Sequence, residues 1–228
     1  MSTLRQAKLR VNWAREKVSD LKLTIQLAWK DALESVAEQA DPDPRNVYSE
    51  FRDNLGDETA RIISEFALHA RCALDYVIFA LAWRDTGAQQ KGTQFPINKS
   101  PEDFAGNRTG CLKHLTDEHV AMVERFQPYQ GFRQRPLLRL VYWSNMDKHR
   151  EGVRVNTMGM WGPPLVAQAN SEVPAYPPPN SPQMDVNVAQ SFQVLLFDGT
   201  DVEDAEKALT EILTQVEKIV DHFDSVLR

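Results

Sequence analysis

The sequence predicts a mainly α-helical protein, a bundle of four to five main helices with a small antiparallel β element inserted before the C-terminal helix. Near both ends of the chain, apolar residues recur at alternating steps of three and four. This is the period of a helix that buries one stripe. Between residues 152 and 198 the period gives way to short alternating segments and a proline-rich stretch. Such a change is typical of strands and loops.

The two terminal helices carry heptad stripes. The first is expected over residues 2–39, where Asp41-Pro-Asp-Pro44 ends it because proline lacks an amide donor. The last helix is expected to start at a capping box formed by Thr200 and Glu203. Two such stripes pack side by side in one bundle or form a dimer seam, and heptads alone do not separate these alternatives. The stripe residues are Leu4, Ala7, Val11, Ala14, Val18, Leu21, Ile25, Ala28 and Ala32, then Val202, Ala205, Leu209, Ile212, Val216, Ile219, Phe223 and Val226.

Three further helices are expected in the middle of the chain. Asp57 can cap a helix over 57–84 whose wide apolar surface indicates a central position. Thr116 can cap a short helix that ends near residue 126, and a proline opens an almost wholly apolar helix over 136–149. The pieces 94–97 and 99–103 between them are interpreted as turns.

The inserted segment is expected to form the β element. Residues 153–158 alternate as an edge strand does, and 184–188 and 192–197 are interpreted as two more strands. The prolines of 162–182 predict a surface loop. We therefore expect one domain over 1–228, with 152–198 as its insertion.

Composition favours an ordinary soluble protein. Of the 228 residues, 42% are hydrophobic and 25% charged, close to the averages for globular proteins. No secretory signal or spanning apolar run is evident, so a cytoplasmic location without membrane contact is expected. Cys72 and Cys111 lack metal-ligand spacing, and neither a phosphate-binding glycine loop nor a nucleophilic-serine motif occurs. No metal and no cofactor are expected. The net charge of −6 gives no overall attraction for nucleic acid, so nucleic-acid binding would have to depend on a local site.

One stretch concentrates polar chemistry, because the apolar helix over 136–149 ends in Asn145-Met-Asp147-Lys148-His149-Arg150. Asn145 and His149 are four residues apart and are expected to face the core with Leu138, Val141 and Tyr142. An imidazole beside an amide can act as a general acid or base, and a neighbouring cation can hold a phosphate. The competing interpretation is structural, since Lys148, His149 and Arg150 suit the negative end of a helix and Asp147 can pair with a cation there.

The second helix contributes a further polar group. Arg71 and Asp75 are spaced for an intrahelical ion pair, as are Glu65 and His69, so both pairs have a structural explanation. If this helix neighbours the one over 136–149, His69 or Arg71 could meet Asn145 and His149 across the interface. His69, Asp75, Tyr76 and Arg139 are the expected supporting residues of such a site.

The chain resembles a poorly characterised group of bacterial helical proteins over roughly residues 55–155. The resemblance is carried by the helix Ala70-Arg-Cys-Ala-Leu-Asp-Tyr-Val-Ile-Phe-Ala-Leu-Ala82, the turn Gln94-Phe-Pro-Ile97 and the helix end Asn145-Met-Asp-Lys-His-Arg150. The members of this group are helical, and the group carries no settled activity.

A remoter resemblance is to HEPN-type helical bundles, many of which are metal-independent ribonucleases of defence and toxin systems. Their signature is an arginine followed, after four to six residues, by a histidine, usually assembled at a dimer interface. Tyr76 stands after the four residues that follow Arg71, and Arg139 precedes His149 by a longer gap. The resemblance therefore implies an inactive or differently active relative.

Two functions follow as alternatives. In the first, the chain is a non-catalytic helical binding or assembly module, whose polar residues form a structural network and whose heptad stripes recruit a second copy or a helical partner. In the second, it is an enzyme acting on RNA or a nucleotide. His149 would then move protons, Asn145 and Asp147 would orient, and phosphate would be held by Arg71, Arg150 and Lys148. The absence of a complete catalytic motif favours the first.

Overall fold

The protein is mainly helical in a computed structural model. The structure describes residues 4–39, 46–131, 135–148, 155–159, 192–197 and 202–228. Its helices are α1 (Arg5–Ala37), α2 (Asn46–Thr86), α3 (Pro101–Asn107), α4 (Asp117–Glu124), α5 (Pro136–Lys148) and α6 (Ala205–Leu227), with a 3₁₀ turn at Pro128–Gln130. The strands are β1 (Val155–Gly159), β2 (Phe192–Phe197) and β3 (Val202–Asp204).

Helix α1 packs antiparallel to both α2 and α6. Lys8, Arg15 and Lys22 pair in order with Asp224, Glu217 and Glu206, each at 2.8 Å, so the two helices run in opposite directions. Arg10 lies 3.0 Å from His69 and Lys17 lies 3.0 Å from Glu65, which gives α2 the same opposite direction. The expected side-by-side packing of the two heptad helices is therefore present within one chain, and the buried stripe of α1 consists of Ala7, Val11, Ala14, Val18, Leu21, Ala28, Ala32 and Val36.

Helix α2 is longer than the sequence predicted. It begins at Asn46 rather than after Asp57, and Asp57 lies inside it as an exposed residue. Val47, Phe51 and Leu55 are buried at steps of four and extend the apolar stripe toward the N-terminus, and the Phe51 ring packs edge-on against Trp29 at 5.6 Å. This packing outweighs the break suggested by Gly56-Asp57.

The central position expected of the second helix is confirmed, because Phe66, Ala70, Leu74, Val77 and Leu81 are all fully buried. The expectation that no apolar run could span a membrane is wrong within the described residues, because Asp57–Thr86 is long and apolar enough by length and composition. However, 56% of its most apolar window is buried inside the protein. Such burial is typical of a core helix.

The short helices begin at well-defined caps. The Thr116 hydroxyl accepts from the His119 amide at 3.4 Å, as its predicted capping role requires, and Pro136 occupies the start of α5. Ser100 caps α3 by accepting from the Asp103 amide at 3.1 Å, so the piece 99–103 opens a helix instead of forming only a turn.

The strands form one antiparallel sheet in the order β1-β2-β3. Val155 lies opposite Leu196, and Leu195 lies opposite Asp204. The predicted capping box of the last helix is wrong, because Glu203 belongs to β3 and the cap is Asp204, whose carboxylate accepts from the Lys207 amide at 2.8 Å. Extended pairing with β2 shifts the helix start to the next acidic residue. Thr200, the segment 162–182 and the predicted strand 184–188 lie outside the described residues.

Candidate functional site

An open cleft of about 210 Å³ lies between α2, the segment 94–98, the turn after α3 and one face of α5. We call it the Arg71 cleft. Arg71, Phe95 and Pro96 form its inner part and Asn145 lies at the exposed side. The residues that line it are Arg71, Gln94, Phe95, Pro96, Ile97, Asn98, Asn107, Cys111, Val141, Ser144 and Asn145.

Two side chains of α2 hold the backbone of Phe95. Arg71 Nη2 donates to the Phe95 carbonyl oxygen at 2.6 Å, and the Phe95 amide donates to Asp75 Oδ1 at 2.9 Å. The same two side chains lie 3.3 Å apart, as the predicted intrahelical ion pair requires. One turn of helix therefore satisfies both backbone groups of one residue, much as a neighbouring strand would.

Gln127 holds the next part of the segment in a similar way. Its side-chain amide donates to the Pro96 carbonyl oxygen at 2.9 Å, and its amide oxygen accepts from the Asn98 backbone N–H at 2.9 Å. Gln127 is fully buried. The segment 95–98 is thus fixed from two sides by polar side chains, and a buried amide with both ends bonded is costly to replace.

The far wall of the cleft is polar and carries no charge of its own. Asn107 Nδ2 donates to Asn98 Oδ1 at 3.1 Å, and the Cys111 thiol lies 3.5 Å from Asn107 Oδ1. Burial raises the pKa of the Cys111 thiol despite the opposing effect of nearby Arg71. The thiol is therefore protonated at neutral pH and is a weak nucleophile.

Helix α5 supplies the third wall through Val141, Ser144 and Asn145. The Ser144 hydroxyl donates to the Val141 carbonyl oxygen at 3.1 Å, one turn back along the helix. Asn145 is exposed, so the expectation that it faces the core is wrong. The buried face of α5 is formed instead by Leu137, Leu140, Trp143 and Ser144, and Asn145 flanks this face.

The structure brings together two of the predicted site residues, because Arg71 and Asn145 line the same cleft. Asp75 lies directly behind Arg71. The backbones of Asp147 and Lys148 end α5, while His149 and Arg150 lie outside the described residues. The cleft thus contains Arg71 and Asn145, the arginine and the amide of the site predicted from the sequence.

Three of the expected supporting residues lie elsewhere. His69 faces α1, where its Nδ1 lies 3.0 Å from Arg10 Nη1 and its ring 5.3 Å from the Trp13 ring. Arg139 pairs with Glu211 of α6 at 2.8 Å. Tyr76 is partly buried against the hydrophobic core and does not line the cleft.

The predicted Glu65–His69 pair is also wrong. Glu65 binds Arg61 and Lys17, and the hydrogen bond from Lys17 is the main cause that lowers the Glu65 pKa. Burial, followed by the charge of Arg10, lowers the pKa of His69. The histidine is therefore held neutral by its place between α1 and α2, which is a structural role.

A buried Asp85–His119 pair was not predicted. His119 Nδ1 lies 2.8 Å from Asp85 Oδ2, which also accepts from the Thr116 amide at 2.8 Å. The carboxylate at the end of α2 therefore binds both the first turn of α4 and the residue that caps it. This arrangement fastens α4 to α2.

A second groove of about 290 Å³ lies between α1 and α6. Its cations are already paired, since Lys8 binds Asp224 and Arg15 binds Glu217. Within the part of the chain that the structure describes, no group of three or more His, Cys, Asp or Glu side chains is placed to hold a metal ion. The Arg71 cleft is the stronger candidate site, because two of the predicted site residues, Arg71 and Asn145, line it.

Several cleft residues were missed because no periodic pattern marks them. Asn98, Asn107 and Cys111 lie in or beside short irregular segments. Gln127, which holds the segment 95–98 without lining the cleft, precedes a proline. The available signal was the run of uncharged polar residues around the turn Gln94-Phe-Pro-Ile97. Side chains of this type bind backbone groups in turns.

Comparison with models of known protein families, with curated protein sequences and with solved structures finds no match to this chain. The geometry of the cleft is therefore the basis for the functional argument.

Proposed function

We propose that this protein is a non-catalytic helical binding module that holds a small polar ligand in the Arg71 cleft. The support is the cleft itself, which is open, lined by amides and backed by one arginine of fixed orientation. Binding sites of this kind combine apolar walls with a few placed polar groups. Phe95, Pro96, Ile97 and Val141 provide such walls.

The observation that carries the proposal is the ionisation of the lining groups. The titratable side chains among the described lining residues are Arg71 and Cys111. Arg71 stays charged, while burial raises the Cys111 pKa and keeps its thiol protonated. Neither can accept a proton at neutral pH, and acid–base catalysis needs a group that can. The described lining therefore suits recognition better than bond cleavage.

The test is a binding and cleavage screen against RNA oligonucleotides and nucleotides with the wild-type, Asn145→Ala and His149→Ala proteins. We expect no turnover by any of the three and weaker binding of any ligand by Asn145→Ala. Thermal unfolding of each variant is the control, because loss of a structural histidine mimics loss of a catalytic one. Turnover by the wild-type protein that His149→Ala abolishes without loss of stability would overturn the proposal.

The second candidate function is a metal-independent, HEPN-like ribonuclease or nucleotide-acting enzyme of a bacterial defence or toxin system. It is favoured by the shared cleft of Arg71 and Asn145, because His149 follows Asn145 by four residues along the chain. In this function Arg71 holds phosphate and His149 moves protons. RNA cleavage that persists in EDTA and is lost in both Arg71→Lys and His149→Ala would favour it over binding alone.

We further propose that the chain is one cytoplasmic domain, a bundle of four to five main helices with the β element inserted before α6. The three strands described between α5 and α6, and the burial of α2, support this organisation.

Assembly with a second copy or a helical partner is part of the proposal. Leu23 and Leu27, one turn apart on α1, are 54% and 49% exposed. They form an apolar ridge that a second copy or a helical partner could contact. Light scattering of wild-type and Leu27→Ser protein tests it, since a partner helix needs that apolar ridge.

A further inference from the structure

We propose that the Arg71 cleft recognises a carboxylate group, with the guanidinium of Arg71 as its receptor. The inference rests on the proposed binding function and names the chemical class of its ligand. It follows from the orientation of Arg71, from the charge of the cleft and from the neutral polar groups around it.

Arg71 is held so that part of its guanidinium remains available. The side chain is only 12% exposed, and its Nη2 is occupied by the Phe95 carbonyl oxygen and by Asp75. Its Nη1 and Nε have no partner among the described residues. Since Arg71 lines the cleft, these N–H donors are left to a ligand there. Both edges of a guanidinium that can form paired hydrogen bonds include Nη2, so a carboxylate here accepts a single charge-assisted hydrogen bond, from Nη1 or from Nε.

The charge of the site favours a carboxylate over a phosphate. Arg71 is the one cation among the described lining residues, and Asp75 at 3.3 Å offsets part of its charge. A phosphate monoester carries roughly −1.5 to −2 at neutral pH and is usually held by several cations or by a helix N-terminus. A single negative charge is the better match for one partly offset arginine.

The remaining lining suits the polar part of the same ligand. Asn98 and Asn145 present amides, whereas the Asn107 amide is already bonded to Asn98, Asp103 and Cys111. The described lining contains no acidic side chain that would repel an anion. The protonated thiol of Cys111 adds no negative charge. A carboxylate joined to a peptide-like amide therefore meets a complementary donor or acceptor on each side of the cleft.

The experiment compares two probes that differ in one group. N-acetylglycine carries a carboxylate and an amide, whereas N-acetylglycinamide replaces the carboxylate with a neutral amide of similar shape. Each is titrated into isotopically labelled full-length protein, and nuclear magnetic resonance follows the backbone amides of Asn98 and Cys111 and the Arg71 Nε–H. We expect N-acetylglycine to shift these signals and to bind at least about tenfold more tightly than its amide. Inorganic phosphate is a third probe and is expected to bind more weakly than N-acetylglycine.

Asn145→Asp is the decisive variant. It places a negative charge at the exposed side of the cleft without changing side-chain size, and Asn145 is exposed, so the fold is preserved. We expect it to weaken N-acetylglycine binding about tenfold, the order of effect that like charges have in a partly solvated site. Asn12→Asp is the matched control, because Asn12 is also exposed but lies on α1, away from this cleft. It should leave binding unchanged.

The other outcomes overturn the inference in distinguishable ways. Equal or tighter binding of N-acetylglycinamide, unaffected by Asn145→Asp, refutes carboxylate recognition but leaves a binding cleft. Tighter binding of phosphate refutes it and favours the phosphate-handling alternative. If neither glycine probe shifts the cleft signals, carboxylate recognition is wrong, while the binding function is still decided by its own screen. Turnover lost in His149→Ala would instead refute the binding function.

Discussion

The three-helix seam of α1, α2 and α6 and the Arg71 cleft are built by different forces. The seam buries apolar side chains at the helical period, with ion pairs such as Lys8–Asp224 along its edge. The cleft is held by side chains that bind the backbone of 95–98, chiefly Arg71, Asp75 and Gln127. Apolar burial spreads its contribution over many residues, whereas a polar clamp concentrates it in a few. The seam should therefore determine global stability, and the clamps should determine the local order of the site.

The largest expected effect is on the seam. Phe223 is fully buried and its ring packs 5.8 Å from that of Phe126, so Phe223→Ala should lower the free energy of unfolding by about 3–5 kcal/mol. Chemical denaturation measures it. Leu68→Ala is the control, because Leu68 is 51% exposed and should change stability by less than about 1 kcal/mol. Similar losses in the two variants would contradict the assignment of the seam as the core.

Removal of the buried clamp should have the next largest effect. Gln127→Ala breaks the bonds to Pro96 and Asn98 and leaves those backbone groups without partners, so a loss of about 2–3 kcal/mol is expected. Hydrogen exchange should show the Asn98 amide losing protection before the amides of α6. Gln130→Ala, at an exposed position three residues away, should change neither the stability nor the protection of the Asn98 amide. Uniform loss of protection would show that the clamp and the seam unfold as one unit.

A pH-dependent effect is expected at the edge of the seam. The hydrogen bond from Lys8, and then that from Arg228, lowers the pKa of Asp224 below its usual value near 3.9. The unfolded chain then binds more protons than the folded one as the pH falls through that range, so this stabilising contribution is present above about pH 5 and is lost toward the lower folded pKa. Asp224→Asn should flatten this part of the stability profile. Asp221→Asn, at an exposed position on the same helix, should not.

The smallest effect on stability is expected at Asn145. The residue is exposed, so Asn145→Ala should change the free energy of unfolding by less than about 0.5 kcal/mol, even though it lines the cleft. Thermal or chemical unfolding measures this change, and Ser144→Ala is measured for comparison because Ser144, the neighbouring residue, is largely buried. A loss above about 1 kcal/mol in Asn145→Ala would indicate that the amide is part of the structure rather than of a binding surface.

The same contrast explains what the sequence could predict. The stripe of α1, the stripe of α6 from Ala205 to Phe223 and the caps at Thr116 and Pro136 follow from local period and chemistry, and these were correct. Val202, predicted as the first residue of the α6 stripe, belongs to β3. The start of α2 was misplaced because Val47 and Phe51 form their contacts with distant residues, and the start of α6 was misplaced because β3 pairs with β2. Local propensity depends on neighbouring residues in the sequence and therefore does not predict contacts with distant ones.

The site was only partly predictable for a related reason. Arg71 and Asn145 were identified from their residue types, but the Gln127 and Asp75 contacts with the segment 95–98 join irregular backbone to side chains as many as 31 residues away. No periodicity records these contacts. The orientation of Asn145 was missed because the apolar run of α5 does not reveal which of its residues meets α2 and which meets solvent.

The segment 95–98 is, in effect, a peptide already bound to its own protein. Because the chain tethers it, its effective concentration at the clamps of Arg71, Asp75 and Gln127 is on the order of millimolar or higher. Individually modest hydrogen bonds are therefore enough to keep it in place. A free peptide of the sequence Gln-Phe-Pro-Ile-Asn would have to reach comparable concentrations to displace it, and dissociation of the segment would open the inner wall of the cleft.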